Sequence, residues 1–166
     1  WEADFGKEMM TKNKAWLNMT WSGDAKWAIE EADAVGVDLD YVVPREGSNI
    51  WYDGWVIPKY AGNPEAASYF INFMCRPDIA LRNMEASGYV SAVASPEIME
   101  AKTDTTLTYY SDLSYFFGPG ADSLQIDKIQ YPDRKVVERC AMIRDFGDKT
   151  KDVLEIWSRI KGDNLG

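Results

Sequence analysis

The segment from Trp16 to Val43 constrains the fold most, because its apolar pattern changes period twice. Trp16–Trp21 alternates in the way that predicts a strand. Asp24 is a good N-cap for the helix that follows, and this helix is predicted to stop at Gly36. Tyr41–Val43 then forms a short apolar run ended by a proline, which indicates a second strand. A strand, a helix and a strand in this order predict a parallel α/β arrangement.

Helix signals continue downstream. The Asn-Pro-Glu triplet at residues 63–65 combines an N-cap, a proline at the first helical position and an acid in the first turn. The next helix is predicted to begin at Pro77 and to end near Gly88. Residues 95–127 look loop-rich, with one short helix. Helix is predicted to resume at Pro132.

The last amphipathic segment covers residues 148–161. Its apolar side chains recur at helical spacing and are predicted to face inward. They are Val153, Leu154, Trp157 and Ile160.

The overall charge suits cationic ligands, although a solvated acidic surface is expected to account for most of it. Lys plus Arg is 18 and Asp plus Glu is 27, which gives a net charge of −9. This balance argues against nucleic acid and anionic membrane surfaces as partners. The chain has no histidine, so the commonest general base and the usual zinc ligand are both missing. No metal or cofactor is expected.

The two cysteines, Cys75 and Cys140, do not form a CxxC motif, and they could form one disulfide or none. Cys75 lies in an apolar helical pattern, which predicts a buried free thiol. No apolar run approaches the ~18 residues of a membrane-spanning helix. The chain begins Trp1-Glu2, as either a mature N-terminus or a fragment would.

An aromatic and acidic cluster between residues 47 and 58 is the strongest functional signal. Trp51 and Trp55 flank Asp53 within five residues. Indole faces attract organic cations, and a nearby carboxylate supplies the opposite charge. On a strand, Trp51 and Asp53 would point to the same face. The alternative is a core tryptophan beside a surface aspartate.

A second cluster, at residues 20–25, contains Trp21 and Asp24. Trp21 is either a core residue that closes a strand or a ligand-contacting aromatic. Asp24 is predicted to act mainly as the helix cap, with a ligand-binding carboxylate as the alternative. The remaining tryptophans with a predicted role are assigned to packing. They are Trp16, Trp27, Trp55 and Trp157.

The order of these motifs resembles one protein family. Trp-Ser-Gly-Asp, Val-Val-Pro-Arg-Glu-Gly-Ser, Trp-Tyr-Asp, Asn-Pro-Glu-Ala-Ala and Ile-Asn-Phe-Met-Cys-Arg-Pro-Asp follow one another, and Gly88-Tyr89 and Tyr131-Pro132-Asp133 fit the same pattern. Together they resemble the C-terminal half of bacterial spermidine/putrescine-binding proteins. The likeness covers nearly the whole chain and is weakest from Thr103 to Leu124.

The resemblance implies a type II periplasmic binding protein-like α/β fold, present here as a partial two-lobe architecture. It implies a non-enzymatic solute-binding component of an ABC importer, with a permease as partner, located in the periplasm or membrane-anchored at the outer face of the cell membrane. Trp21 and Trp51 resemble the cleft aromatics, with Asp24 as a further candidate. Asp53 resembles the carboxylate that holds a ligand ammonium. A glutamine contact of the family is replaced by Met-Ile-Arg at residues 142–144.

The resemblance also implies a fragment, since family members are roughly twice as long or more, as two full lobes require. Residues 1–50 would belong to one lobe, residues 51–130 to the other, and residues 131–166 would return to the first. The missing N-terminal half or a second copy would then be a further partner, because incomplete sheets leave apolar surface bare.

Two other classes of function remain open. Tryptophan platforms also stack on sugar rings, so a carbohydrate-binding module is the alternative, with neutral ligands and weak salt dependence. An acid/base enzyme built on Asp and Glu pairs is the third possibility. No paired-carboxylate motif supports it, and the absence of histidine weakens it.

Overall fold

A computed structural model describes residues 6–162 of the 166-residue chain. Helices predominate, and a two-stranded sheet accompanies them. In chain order the elements are α1 (Gly6–Thr11), α2 (Ser22–Asp33), β1 (Asn49–Ile50), α3 (Pro64–Met74), α4 (Pro77–Ser87), α5 (Pro96–Lys102), α6 (Ser114–Phe117), α7 (Arg134–Val137), β2 (Ala141–Met142), a 3-10 turn (Gly147–Lys149) and α8 (Thr150–Gly162).

Most predicted helix ends are confirmed, because local side chains set them. Asn63 Oδ1 accepts a hydrogen bond from the backbone N–H of Ala66 at 2.9 Å, which caps α3. Gly88 ends α4 in the left-handed region, with φ of 76°. The N-cap prediction for Asp24 is wrong, because α2 begins at Ser22 with Trp21 at the N-cap position and no side-chain cap.

The two predicted strands are not formed. Neither Trp16–Trp21 nor Tyr41–Val43 joins a ladder within residues 6–162. The sheet consists of β1 and β2, paired in parallel as Asn49 with Ala141 and Ile50 with Met142. A strand needs the backbone of a neighbour, and Trp16 instead stands 97% exposed. The described chain is therefore rich in helix, with far less sheet than the α/β pattern predicted.

Two clusters of buried core residues lie between residues 77 and 131. One cluster of buried side chains joins α4 to α5 through Ala80, Met84 and Ile98. A second contains Leu113, Ile126 and Tyr131. Val90 and Phe117 pack against both clusters and make them continuous.

The region predicted to be loop-rich, residues 95–127, supplies much of this core. It contains two helices, α5 and α6, rather than the one predicted. Isolated antiparallel bridges link Thr103 to Ile126 and Ser111 to Leu124. These bridges hold the loops so that their apolar side chains point inward. The core residues of this region were hard to predict, because a bridge between residues far apart in the sequence leaves no periodic pattern in either segment.

Several apolar side chains that were predicted to be buried lie at the surface. Leu154, Trp157 and Ile160 of α8 are exposed, with Leu154 at 58%. α3 has no buried residue, and Trp55 is exposed while its ring packs edge-on against Phe70 at 5.3 Å. The inward-facing assignments of Leu154, Trp157 and Ile160 are wrong, because these side chains are exposed. Trp55 does pack, but at the surface and against Phe70.

The cysteines are both free thiols. Cys75 is exposed, so its predicted burial is wrong, while Cys140 is half-buried and its Sγ donates to the Val136 carbonyl at 3.2 Å. No helix in the described range is long and apolar enough to cross a bilayer.

Candidate functional site

Three aromatic rings from distant parts of the chain meet at the start of α2. The rings of Trp21 and Trp51 lie 4.9 Å apart at 62°, and those of Trp51 and Tyr89 lie 6.2 Å apart at 75°. Both pairs have the edge-to-face geometry that aromatic quadrupoles favour. The structure therefore brings the two predicted site tryptophans into contact and adds a tyrosine.

Tyr89 was not among the predicted functional residues. Gly88-Tyr89 entered only as part of the motif pattern. The left-handed turn at Gly88 ends α4 and directs Tyr89 back towards α2. The ring lies directly on Gly23, which is buried and has no side chain to keep it away. The available signal was a glycine C-cap followed at once by an aromatic residue.

The hydroxyl of Tyr89 experiences the charge of two candidate carboxylates. Burial raises the pKa of Tyr89, and the negative charge of Asp24 raises it further. A hydrogen bond from the Asp24 backbone partly offsets this rise, and Asp53 then adds to it. Asp24 and Asp53 therefore both lie near one phenol, although they are 29 positions apart in the sequence.

Asp53 is the available carboxylate of the pair. It is exposed, and within residues 6–162 it has no hydrogen bond or ion pair. The predicted strand through Trp51 and Asp53 is confined to Asn49–Ile50, so the shared strand face is not formed. What remains is an unpaired negative charge two residues from the central ring of the cluster.

Asp24 is already engaged. Its Oδ1 accepts a hydrogen bond from Lys7 Nζ at 2.7 Å, and the carboxylate is only 20% exposed. The Lys7 ammonium also lies 5.2 Å from the centre of the Trp27 ring. In this arrangement Asp24 and Trp27 hold α1 against α2.

The paired strands β1 and β2 place the segment after Ala141 next to the residue that precedes Trp51. Gly47 has φ of 101°, and a Cβ atom there would lie 1.9 Å from the Arg139 carbonyl oxygen. This close approach lets Ala141 N–H donate to Ser48 O at 3.0 Å and sets Met142 beside Ile50, the residue before Trp51. Residues 142–144 thus run next to the site, and they present exposed apolar side chains at Met142 and Ile143.

The described residues contain no group of three or more His, Cys, Asp or Glu side chains that could hold a metal ion. The site offers aromatic ring faces and the unpaired carboxylate of Asp53. Such groups attract organic cations in general.

Comparison with known proteins places the chain in a family. A model described as bacterial extracellular solute-binding protein matches residues 1–106. The chain belongs to this family. The matched residues include all four members of the ring and carboxylate group, Trp21, Trp51, Asp53 and Tyr89.

Individual relatives agree with this assignment. The chain is 30% identical over 145 residues to the spermidine/putrescine-binding periplasmic protein of Salmonella typhimurium, covering 87% of this chain and 35% of that protein. It is 38% identical over 93 residues to the protein of the same description in Escherichia coli, covering 52% and 26%. It is 27% identical over 158 residues to the putrescine/cadaverine-binding protein of Pseudomonas aeruginosa, covering 92% and 38%.

The chain therefore spans about a third of the length of the curated relatives that it matches. No solved structure matches it.

Proposed function

We propose that this chain supplies one wall of a polyamine-binding site in the solute-binding component of an ABC importer, outside the cytoplasm and without enzymatic activity. The observation that carries this proposal is the contact of the Trp21, Trp51 and Tyr89 rings beside the unpaired carboxylate of Asp53. The names of the relatives from Salmonella and Pseudomonas, which include spermidine and putrescine, support the choice of ligand.

A polyamine suits this arrangement because it carries ammonium groups on a flexible apolar chain. The methylene segments would lie along the indole and phenol rings, which displace water and attract the cations. Asp53 would accept a charge-assisted hydrogen bond from one terminal ammonium. The net charge of −9 would raise the rate at which cations meet the site.

The second wall of the site would come from the rest of a longer polypeptide. The chain spans only about a third of the length of these relatives, and the segment around Trp16 is exposed. In this proposal the ligand lies in a cleft between two lobes. Residues 1–50 and 131–166 belong to one lobe and residues 51–130 to the other. The partner that receives the ligand is the membrane permease of the importer.

Calorimetry on the protein that contains this chain tests the proposal. Spermidine and putrescine are expected to release heat on binding, and neutral sugars are not. Asp53→Asn is expected to weaken spermidine binding about ten- to a hundredfold, because a charge-assisted hydrogen bond in a desolvated cleft is worth about 1.5–3 kcal/mol. Trp51→Ala is expected to weaken it about tenfold or more, because it removes the cation–π contact of the central ring.

The matched control is Asp38→Asn, which removes the same charge from an exposed aspartate outside the ring cluster. It is expected to leave spermidine binding unchanged. Heat from sugars alone, insensitive to Asp53→Asn, would overturn the polyamine proposal. Unchanged spermidine binding by Asp53→Asn would show that the role assigned to this residue is wrong.

A further inference from the structure

The turn at residues 127–131 lies between α2 and the C-terminal end of α4. One oxygen of Asp127 accepts from Lys26 Nζ of α2 at 2.8 Å, and the other accepts from the backbone N–H of Ile129 at 2.9 Å. The backbone N–H of Tyr131 closes the turn on the Asp127 carbonyl at 2.8 Å. The Tyr131 side chain is 2% exposed and anchors the turn in the core. The turn is thus fixed at both ends.

Gln130 projects from this turn onto the residue that precedes Tyr89. Its Nε2 donates to the Gly88 carbonyl oxygen at 2.9 Å, and the bond is partly buried. Gly88 is the left-handed residue that ends α4. The orientation of its carbonyl fixes the Gly88–Tyr89 peptide plane, and with it the direction in which the Tyr89 side chain leaves the backbone.

The Tyr89 ring has no room to adapt to a rotated peptide. Gly23 lies directly under it, and the backbone around Gly23 also approaches Gly88, where a Cβ atom would lie 3.2 Å from the Gly23 carbonyl oxygen. A rotation of the Gly88–Tyr89 peptide would therefore carry the ring away from Trp51 rather than further onto α2.

We propose that Gln130 is a positioning residue of the ligand site: its hydrogen bond to Gly88 holds Tyr89 against Trp51. This inference rests on the proposed function for its consequence in binding, but its structural part does not need a ligand. The Lys26–Asp127 ion pair makes Gln130 effective, because it ties the turn that carries Gln130 to the helix that carries Gly23.

The ion pair persists at neutral pH. Partial burial by itself would lower the pKa of Lys26, but the hydrogen bonds and charges of Asp127 and Glu30 outweigh burial and raise the pKa above its ordinary value. Lys26 therefore carries its positive charge at neutral pH, where the site is expected to bind its ligand.

Gln130→Glu tests the inference, because it keeps the shape of the side chain and replaces the donor by an acceptor that repels the Gly88 oxygen. The matched control is Gln125→Glu, in the same loop, whose amide donates to the Leu107 and Thr105 carbonyls instead. In the ligand-free protein labelled with ¹⁵N, the Trp51 indole signal, assigned by its loss in Trp51→Phe, is expected to shift in Gln130→Glu and not in Gln125→Glu.

Spermidine calorimetry gives the second readout. Gln130→Glu is expected to weaken binding about tenfold, the effect of one lost hydrogen bond, and Gln125→Glu to leave it unchanged. In a Tyr89→Ala background the effect of Gln130→Glu should vanish, because there is no ring left to position. An equal effect in both backgrounds overturns the inference.

The two proposals fail in different ways. If the wild type binds no spermidine, the proposed function is wrong, and the Trp51 indole signal still decides the role of Gln130. An unmoved indole signal in Gln130→Glu overturns that role even if spermidine binds. If Gln130→Glu does not fold, Gln130→Met removes the donor without adding charge and is measured in the same way.

Discussion

Gly23 and Tyr89 pack so closely that a Cβ atom on Gly23 would lie 2.5 Å from Cε2 of the tyrosine ring. Gly23 is in the first turn of α2, and Tyr89 follows α4. The two residues are 66 positions apart in the sequence, and their contact joins α2 to the end of α4. This contact places the phenol beside Trp51 and near Asp53. The candidate site therefore depends on the absence of a Cβ atom at Gly23 as well as on the aromatic side chains.

Gly23→Ala is expected to move the Tyr89 ring and to weaken spermidine binding about tenfold, since the ring loses its place in the site. Alanine is the better helix former, so helix propensity alone would not weaken the protein. Gly62→Ala is the control, because a Cβ atom there meets nothing within 4 Å. Calorimetry on both variants makes the comparison, and equal affinities would contradict the role of the contact.

Gly47→Ala is expected to break the pairing of β1 with β2. The new Cβ atom would lie 1.9 Å from the Arg139 carbonyl oxygen, in addition to the strain of φ at 101°. We expect a loss of unfolding free energy of about 2–4 kcal/mol by urea denaturation and faster hydrogen exchange at Ala141 N–H.

Gly120→Ala separates the clash from the backbone strain in that experiment. Gly120 has a similar φ of 92°, but its Cβ atom would meet nothing within 4 Å. Gly120→Ala is expected to lower the free energy of unfolding by only about 1–2 kcal/mol. If the two variants lost the same stability, the close approach of Gly47 to Arg139 would not matter.

Ile98→Ala and Ile156→Ala form a matched pair in two helices. Ile98 is fully buried between α4 and α5, and its truncation is expected to cost about 2–5 kcal/mol. Ile156 of α8 is exposed, and its truncation is expected to change stability by less than about 0.5 kcal/mol. Thermal melts of both variants provide the test. A large loss in Ile156→Ala would show that a further part of the protein covers α8.

Tyr131 is expected to make the protein sensitive to alkali. Burial, aided by the nearby Tyr115, raises the pKa of Tyr131 from 10.0 to about 12. A raised pKa means that the fold favours the neutral phenol. This preference contributes about 3 kcal/mol to the free energy of unfolding, because the group is nearly fully buried. The contribution is complete below pH 10 and is lost as the pH rises through 12.

Circular dichroism melts between pH 9 and pH 12, with phenolate absorbance recorded in parallel, measure this loss. Tyr131→Phe removes the ionisable group and keeps the ring, so its stability should fall less steeply over the same range. An identical pH profile in the wild type and in Tyr131→Phe would show that another group governs the alkaline transition.

The sequence by itself determined the start of α3, the end of α4 and the family. Asn63 caps α3 and Gly88 ends α4 through contacts within a few residues, so a local pattern is enough to predict them. The pairing of indoles with Asp53 indicated an organic cation, because this inference needs only residue types. The family assignment also follows from the order of the motifs and agrees with the comparisons.

Only the tertiary structure decided which segments pair and which side chains meet. The alternation in Trp16–Trp21 is real, but a strand forms only against a partner, and none of the described segments provides one. The bridge to Thr103 holds Ile126 in the core. The contact with Gly23, 66 positions away, places Tyr89 in the site. Such contacts depend on the folded path of the chain, and no local period in the sequence records them.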